Sequence, residues 1–348
     1  MKITKKEKEN KLNTYSSLTG YDYYLGLDWS QDGYSLARLT TKSKVPKYSQ
    51  GLGQVEYLRE DLSRLRGKKL LTIEETTSTH WLYVELKESV DKIVVCDPYR
   101  NSLLGDGPKN DDVDAGNLSL LLRGGFLKEV YHTLDESYYI RKLLSAYEDL
   151  IKMGVRLKNQ QSALYRGEGL RSKTDKALPN NKILRFVEKE QNILISHYEE
   201  TKNKYLDEFK HLRKKIPVIE KMCKISGIDT ISSVKIYGIV LDAKRFTSKN
   251  KYWGYCGLVY HQKTSGNRNY GKRRIRHSRV LKSVYKTAAL ASIQGNNDIS
   301  IYYQELLEKG LTEYKARHAI ARYIATSTYA MMKNGSSYKP YSWRRMEK

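Results

Sequence analysis

Cysteine is nearly absent from this chain: Cys96, Cys223 and Cys256 are the only three among 348 residues. They are scattered and none stands in CxxC spacing, so a disulfide framework is excluded, a zinc site is disfavoured and a reducing compartment is expected. No apolar run reaches the length of a transmembrane helix. Residues Met1 to Lys11 are charged and lack an apolar core, so no secretory signal is expected and the location expected is cytoplasmic. Phenylalanine is scarce at 4, against 29 tyrosines, a bias that an AT-rich coding sequence explains as readily as a function. Acidic residues are in deficit: 39 Asp and Glu face 63 Lys and Arg, for a net charge of +24. That excess points to a polyanionic partner, nucleic acid before anionic membrane.

The organisation reads in four parts. Residues 1–20 are polar and are expected to form a loose arm. Residues 21–130 read as α/β. Tyr23–Leu27 and Tyr34–Thr40 flank Ser30-Gln31-Asp32-Gly33 and predict a hairpin. Short apolar runs at Leu70–Ile73 and Ile93–Val95, with a helix between them over 80–90, predict a mixed sheet covered by helices. Residues 131–215 are helical. Leu143, Tyr147, Leu150, Leu157 and Leu164 keep a 3.6-residue period, and Gly167-Glu168-Gly169 and Pro179 separate them from a second helix. This predicts a long helical hairpin whose stripe packs one helix on the other or, alternatively, forms a coiled coil between subunits. Residues 216–348 read as a mainly α domain entered at Pro217. There Ile225-Ser226-Gly227-Ile228 is either a phosphate-approaching helix hairpin or a plain αα-turn.

Four acids carry the chemistry of the first part. Asp28 ends the apolar run Tyr23–Leu27, and Glu75 closes Leu70–Glu74. Asp111 and Asp114 sit at i and i+3 in Lys109-Asn110-Asp111-Asp112-Val113-Asp114-Ala115, after the strand at 93–96. Such placement can bring carboxylates to one point, where a hard cation, Mg²⁺ or Mn²⁺, relieves their repulsion and orients a phosphodiester. The bland alternative is helix capping, above all for Asp111 and Asp112.

A second cluster spans 251–283. Arg268, Lys272, Arg273, Arg274, Arg276, Arg279 and Lys282 are interleaved with Trp253, Tyr255, Tyr260 and Tyr270, a nucleic-acid-binding composition. Ser265, in Thr264-Ser265-Gly266, is the candidate nucleophile among these cations. A Ser-Gly pair alone is common in loops.

Taken together, these motifs resemble the DEDD-type insertion-sequence transposases, relatives of the pilin-gene invertase that include bridge-RNA-guided serine recombinases. The resemblance rests on the strand ending at Asp28, on Glu75-Thr76-Thr77-Ser78, on Lys109–Ala115 and on Asp97-Pro98-Tyr99-Arg100-Asn101. In the second half it rests on Ile225–Ile228, Arg245-Phe246, Tyr255-Cys256-Gly257-Leu258 and Ser265-Gly266. It implies a RuvC-like domain, a helical linker and a transposase domain. It further implies Mg²⁺ at Asp28, Glu75, Asp111 and Asp114, and attack on DNA by Ser265. Ser78 stands where the family has Gly, which keeps Glu74 as an alternative ligand; Thr264 and Ser278 remain alternative nucleophiles. The implied partners are donor and target DNA and a structured guide RNA, with a homodimer assembling to a tetramer on the nucleoid. Two competing readings are a RuvC-like junction endonuclease using metal-activated water and an invertase reading DNA directly.

Overall fold

Strand alternation explains the first layer of the molecule. The computed structural model describes residues 19–100, 110–134, 136–171, 178–266, 268–274 and 276–341. Most of the expected arm, together with Asn101 and Lys109 of the quoted motifs, lies outside the described residues. Contacts divide the chain into two compact units, Met1–Asp135 and Glu136–Lys348.

In the first unit β1 (Tyr23–Trp29) and β2 (Gly33–Leu39) form the expected hairpin, closed where the Ser30 N–H donates to the Gly33 carbonyl at 2.9 Å. β3 (Lys47–Leu52) adds to β2 as an edge strand. The helix α1 (Val55–Ser63), β4 (Lys69–Glu74), the helix α2 (Thr79–Leu86), β5 (Lys92–Cys96) and the helix α3 (Asp111–Gly124) follow. The five-stranded sheet has the order β3-β2-β1-β4-β5, antiparallel among β1, β2 and β3 and parallel among β1, β4 and β5. Side chains of a strand alternate between faces. Leu25, Leu27, Leu71, Ile73, Ile93 and Val95 therefore pack with Leu58, Leu62, Leu82 and Leu86 of α1 and α2. Tyr24, Leu70 and Val94 point the other way and meet Leu122 of α3.

Gly26 sets how near α3 comes. It lies on the α3 side of β1, and a Cβ there would stand 2.1 Å from the Ala115 carbonyl oxygen and 2.6 Å from the Ser119 nitrogen. Only glycine permits that approach. The N-terminus of α3 is capped by Asn110, whose side chain accepts from the Asp112 N–H.

The second unit begins with the expected helical hairpin, α4 (Ser137–Gly167) and α5 (Lys182–Lys215). Its base is part of a larger core: Ile140, Leu144, Tyr147, Phe209 and Leu212 pack with residues from Ile219 to Met331. Hairpin and C-terminal helices thus share one core. Away from the base the stripe is only partly covered, with Ile183, Phe186, Ile193 and Leu194 exposed. Then come α6 (Pro217–Met222), α7 (Thr230–Val240), α8 (Lys249–Tyr255), the antiparallel pair β6 (Tyr260–Ser265) and β7 (Arg268–Arg274), and α9 (Arg279–Ile293), α10 (Asp298–Glu308) and α11 (Glu313–Asn334). Gly227, at φ +83°, backs onto α9, where a Cβ would stand 2.3 Å from the Ala288 carbonyl oxygen. Gly227 thus serves close backbone packing in the turn between α6 and α7.

Candidate functional site

The acids are placed by register. Leu27 of β1 pairs with Ile73 of β4, so Asp28 and Glu74 are the next residues of adjacent parallel strands. Both follow the parity of Gly26 and Thr72 and face α3, whose first turn carries Asp111, Asp112 and Asp114. Glu75 has the opposite parity, is exposed, and donates its N–H to the Cys96 carbonyl at 2.9 Å. Strand geometry therefore brings Glu74, rather than Glu75, to the face that Asp28 shares with the α3 acids.

The electrostatics of this edge follow. Burial raises the Asp28 carboxyl above the ordinary range, and the charges of Asp111 and Asp114 raise it further. Burial likewise raises Glu74, aided by Asp28 and Asp114. These are carboxylates repelling one another in a half-buried setting. Asp112 behaves differently. Its carboxylate accepts from Ser35 Oγ at 2.6 Å and Gln50 Nε2 at 2.9 Å, and these bonds hold it below the usual value. Asp112 ties α3 to β2 and β3, while Asp111 and Asp114 remain exposed above the strand ends. All-oxygen, like-charged donors suit a hard divalent cation. Among the described residues, no three His, Cys, Asp or Glu side chains are drawn together closely enough to enclose an ion.

The second locus is the β6–β7 hairpin. The sequence pattern suggested a loop; this polar segment has no apolar face to announce a strand. Ser265 ends β6, pairs in register with Arg268, and is followed by Gly266 at φ +51°, a left-handed conformation that suits glycine. Ser265 is exposed, and among the described residues nothing hydrogen-bonds its hydroxyl. Arg268, Lys272, Arg276 and Arg279 are exposed, and Lys282 is half-buried. The side chains of Thr264, Arg273 and Arg274 lie outside those described. Ser278 is engaged as the N-cap of α9, accepting from the Leu281 N–H at 3.3 Å. Arg245, singled out beside Phe246, lies over the Phe246 and Tyr255 rings at 4.5 and 4.7 Å, a cation–π arrangement that clamps α8.

Residues 220–304 match the family of transposases described as IS116/IS110/IS902. The matched segment runs from α6 through most of α10 and contains Ser265 and its hairpin. It supports an insertion-sequence transposase, an enzyme class that cuts and rejoins DNA. The acidic edge lies outside the matched segment. No curated protein matches the chain. Among the described residues, no helix is long and apolar enough to cross a membrane.

The sequence reading carried Glu74 only as the alternative to Glu75, although strand parity was the available signal for placing it on the Asp28 face. One feature escaped that reading: the distribution of charge. Residues 1–135 carry as many basic as acidic side chains, so the whole excess of +24 lies in the second unit.

Proposed function

We propose that this protein is an insertion-sequence transposase that cuts and rejoins DNA through a phosphoserine intermediate. The family match across the Ser265 hairpin carries this reading. The Ser265 Oγ attacks the scissile phosphorus and forms a P–O bond as the bond to the departing sugar oxygen breaks. The hydroxyl proton leaves to solvent or a nearby base, and the departing oxygen takes up a proton. The reverse attack by a new strand's hydroxyl rejoins DNA without an outside energy source. Arg268 and its basic neighbours hold the phosphates in register and offset charge developing on the phosphoryl oxygens.

Asp28, Glu74, Asp111 and Asp114 are proposed to hold Mg²⁺ or Mn²⁺ once their side chains turn inward, with Glu75 the alternative to Glu74. When bound there, the cation supplies Lewis-acid stabilisation to a phosphate oxygen. The sheet order and the strand-end carboxylates support a RuvC-like first unit. The positive second unit supports a structured guide RNA beside donor and target DNA. The exposed apolar residues of the α4–α5 hairpin support assembly into a dimer and then a tetramer.

A nicked suicide DNA substrate tests the mechanism. The expected result is a covalent protein–DNA adduct that maps to Ser265 and disappears in Ser265→Ala while nucleic-acid binding persists. Cleavage by Ser265→Ala would instead mark a metal-dependent endonuclease that uses water.

A further inference from the structure

The unassigned faces of the second unit include a cleft bounded by α9, α11 and the β6–β7 hairpin. Tyr260 and Lys272 of the hairpin line one hollow of about 370 Å³ together with Tyr314, His318 and Arg322 of α11. A second hollow of about 180 Å³ lies against Lys286 and Leu290 of α9 and shares Tyr314 and His318. Tyr314 and His318 thus form a ridge between two hollows, their rings 4.7 Å apart and edge to face.

Three observations give this cleft a ligand class. The first is unmatched positive charge: among the described residues, none of Lys272, Lys282, Lys286 and Arg322 has a carboxylate partner, whereas Arg317 is paired with Glu313. Local sequence enforces this, because the chain has no acidic side chain between Asp242 and Asp298. The second is His318, whose Nε2 is shielded from solvent and without a hydrogen-bond partner among the described residues. Burial pushes its pKa below the ordinary value, and Lys286, Arg322 and Lys282 push it further. The third is aromatic surface: Tyr314 is 61% exposed and Tyr260 41%, beside the uncompensated cations. Cations that track a backbone, beside solvent-exposed aromatic side chains, suit a single-stranded polynucleotide; a duplex keeps its base faces stacked inside.

We propose that this cleft is a binding site for a single-stranded nucleic-acid segment, with phosphates in the two hollows and a base stacked on Tyr314. Lys272 stands on the strand opposite Gln262, three residues from Ser265 along β6, or about 10 Å at the rise of a strand. A strand seated in the cleft is therefore led toward the nucleophile. This deepens the reading given under Proposed function and rests on its nucleic-acid substrate.

The test is equilibrium binding by the full-length protein to labelled oligonucleotides of one sequence, offered as single-stranded DNA, single-stranded RNA and DNA duplex, over a range of salt. Lys286→Ala with Arg322→Gln should reduce the salt slope for single strands by about 1.4 and leave the duplex slope nearly unchanged. Tyr314→Ala should weaken single-strand binding about tenfold, and Tyr314→Phe should restore it. Bound phosphate offsets the neighbouring cations, so His318 takes up a proton on binding. The charged and titratable groups that face it are Lys272, Lys282, Lys286, Tyr314, Lys315, Arg317 and Arg322. Single-strand affinity should thus rise as pH falls from about 7.5 to 5.5, and His318→Gln should reduce that rise. Replacing the exposed Lys204 and Lys214 with Ala controls for general charge loss, and thermal melting controls for folding. The DNA and RNA arms identify which strand the cleft takes. Equal losses for duplex and single strand, or unchanged single-strand binding in folded variants, overturn the proposal. Binding that depends on the cleft in a protein that forms no adduct would leave the cleft standing and remove the serine mechanism; adduct formation with binding indifferent to these variants would do the reverse.

Discussion

In the N-terminal unit the chemical groups stand on a braced scaffold. Asp28 and Glu74 end adjacent parallel strands, Gly26 lets α3 close down on the sheet, and Asp112 ties the start of α3 to β2 and β3. In the C-terminal unit Ser265 stands exposed at the end of β6, its hydroxyl unbonded among the described residues. The first region is pre-organised but carries mutually repelling charge. The second carries all of the excess positive charge and holds Ser265, the proposed nucleophile, on a short ribbon. Under the proposed mechanism the difference corresponds to separate tasks. A rigid acidic edge suits an ion and a phosphate at fixed geometry. A basic unit with an exposed serine suits gathering the polyanion and presenting a nucleophile to it.

The largest effect expected is on cleavage. Asp111→Asn should abolish DNA cutting and leave binding nearly intact, because the positive charge lies in the other unit; an electrophoretic binding assay that shows a parallel loss would break the division of tasks. Gly26→Ala should follow in size. The Ala115 carbonyl cannot accommodate the added methyl without α3 moving, and overpacking of this kind costs about 3 kcal/mol. Chemical denaturation should show that loss, with cation-dependent cleavage impaired in the protein that remains folded. The paired variants Glu74→Gln and Glu75→Gln sharpen the first region further: cleavage should fall with the former and persist with the latter, and the opposite ranking would transfer the third ligand to Glu75.

The smallest effect is on stability and pH. Folding raises the pKa values of Asp28 and Glu74, so in the folded state they hold protons that the unfolded chain has released. Stability should therefore fall as pH rises from the ordinary carboxylate value through the raised ones. Asp112, depressed by its hydrogen bonds, has the opposite sign: its contribution is present above the ordinary value and lost as pH falls through the depressed one. Asp28→Asn should raise the melting temperature of the metal-free protein by about 2–4 °C at neutral pH. Mg²⁺ should stabilise the parent protein more than this variant. A melting temperature unchanged or lowered by Asp28→Asn would show that the repulsion is already screened by solvent.

Much of this was legible in the residues. The β1–β2 hairpin, the strands at β4 and β5 and the helical hairpin follow from apolar spacing and from Gly and Pro breaks. Less legible were β3 and the β6–β7 pair. β3 is an exposed edge strand, and β6–β7 is polar along its length, so neither shows the alternation that burial imposes. The hairpin's membership of the C-terminal core was hidden too, since the period of Leu143 and Tyr147 shows that a face is buried without showing against what.

By itself the sequence determined the α/β-then-α order of the chain, the positive excess, the basic run around Ser265 and the presence of acids at the strand ends. Tertiary structure decided which acids share a face. Glu74 and Glu75 are neighbours in sequence and nearly equal in chemistry, but side chains of a strand alternate, and the register of β4 on β1 turns Glu74 toward α3. It also decided that Gly26 is a packing residue rather than a turn residue, and that cations from β7, α9 and α11 line one cleft with Tyr314. These outcomes depend on which faces meet across long separations in the chain, and local spacing does not carry that information.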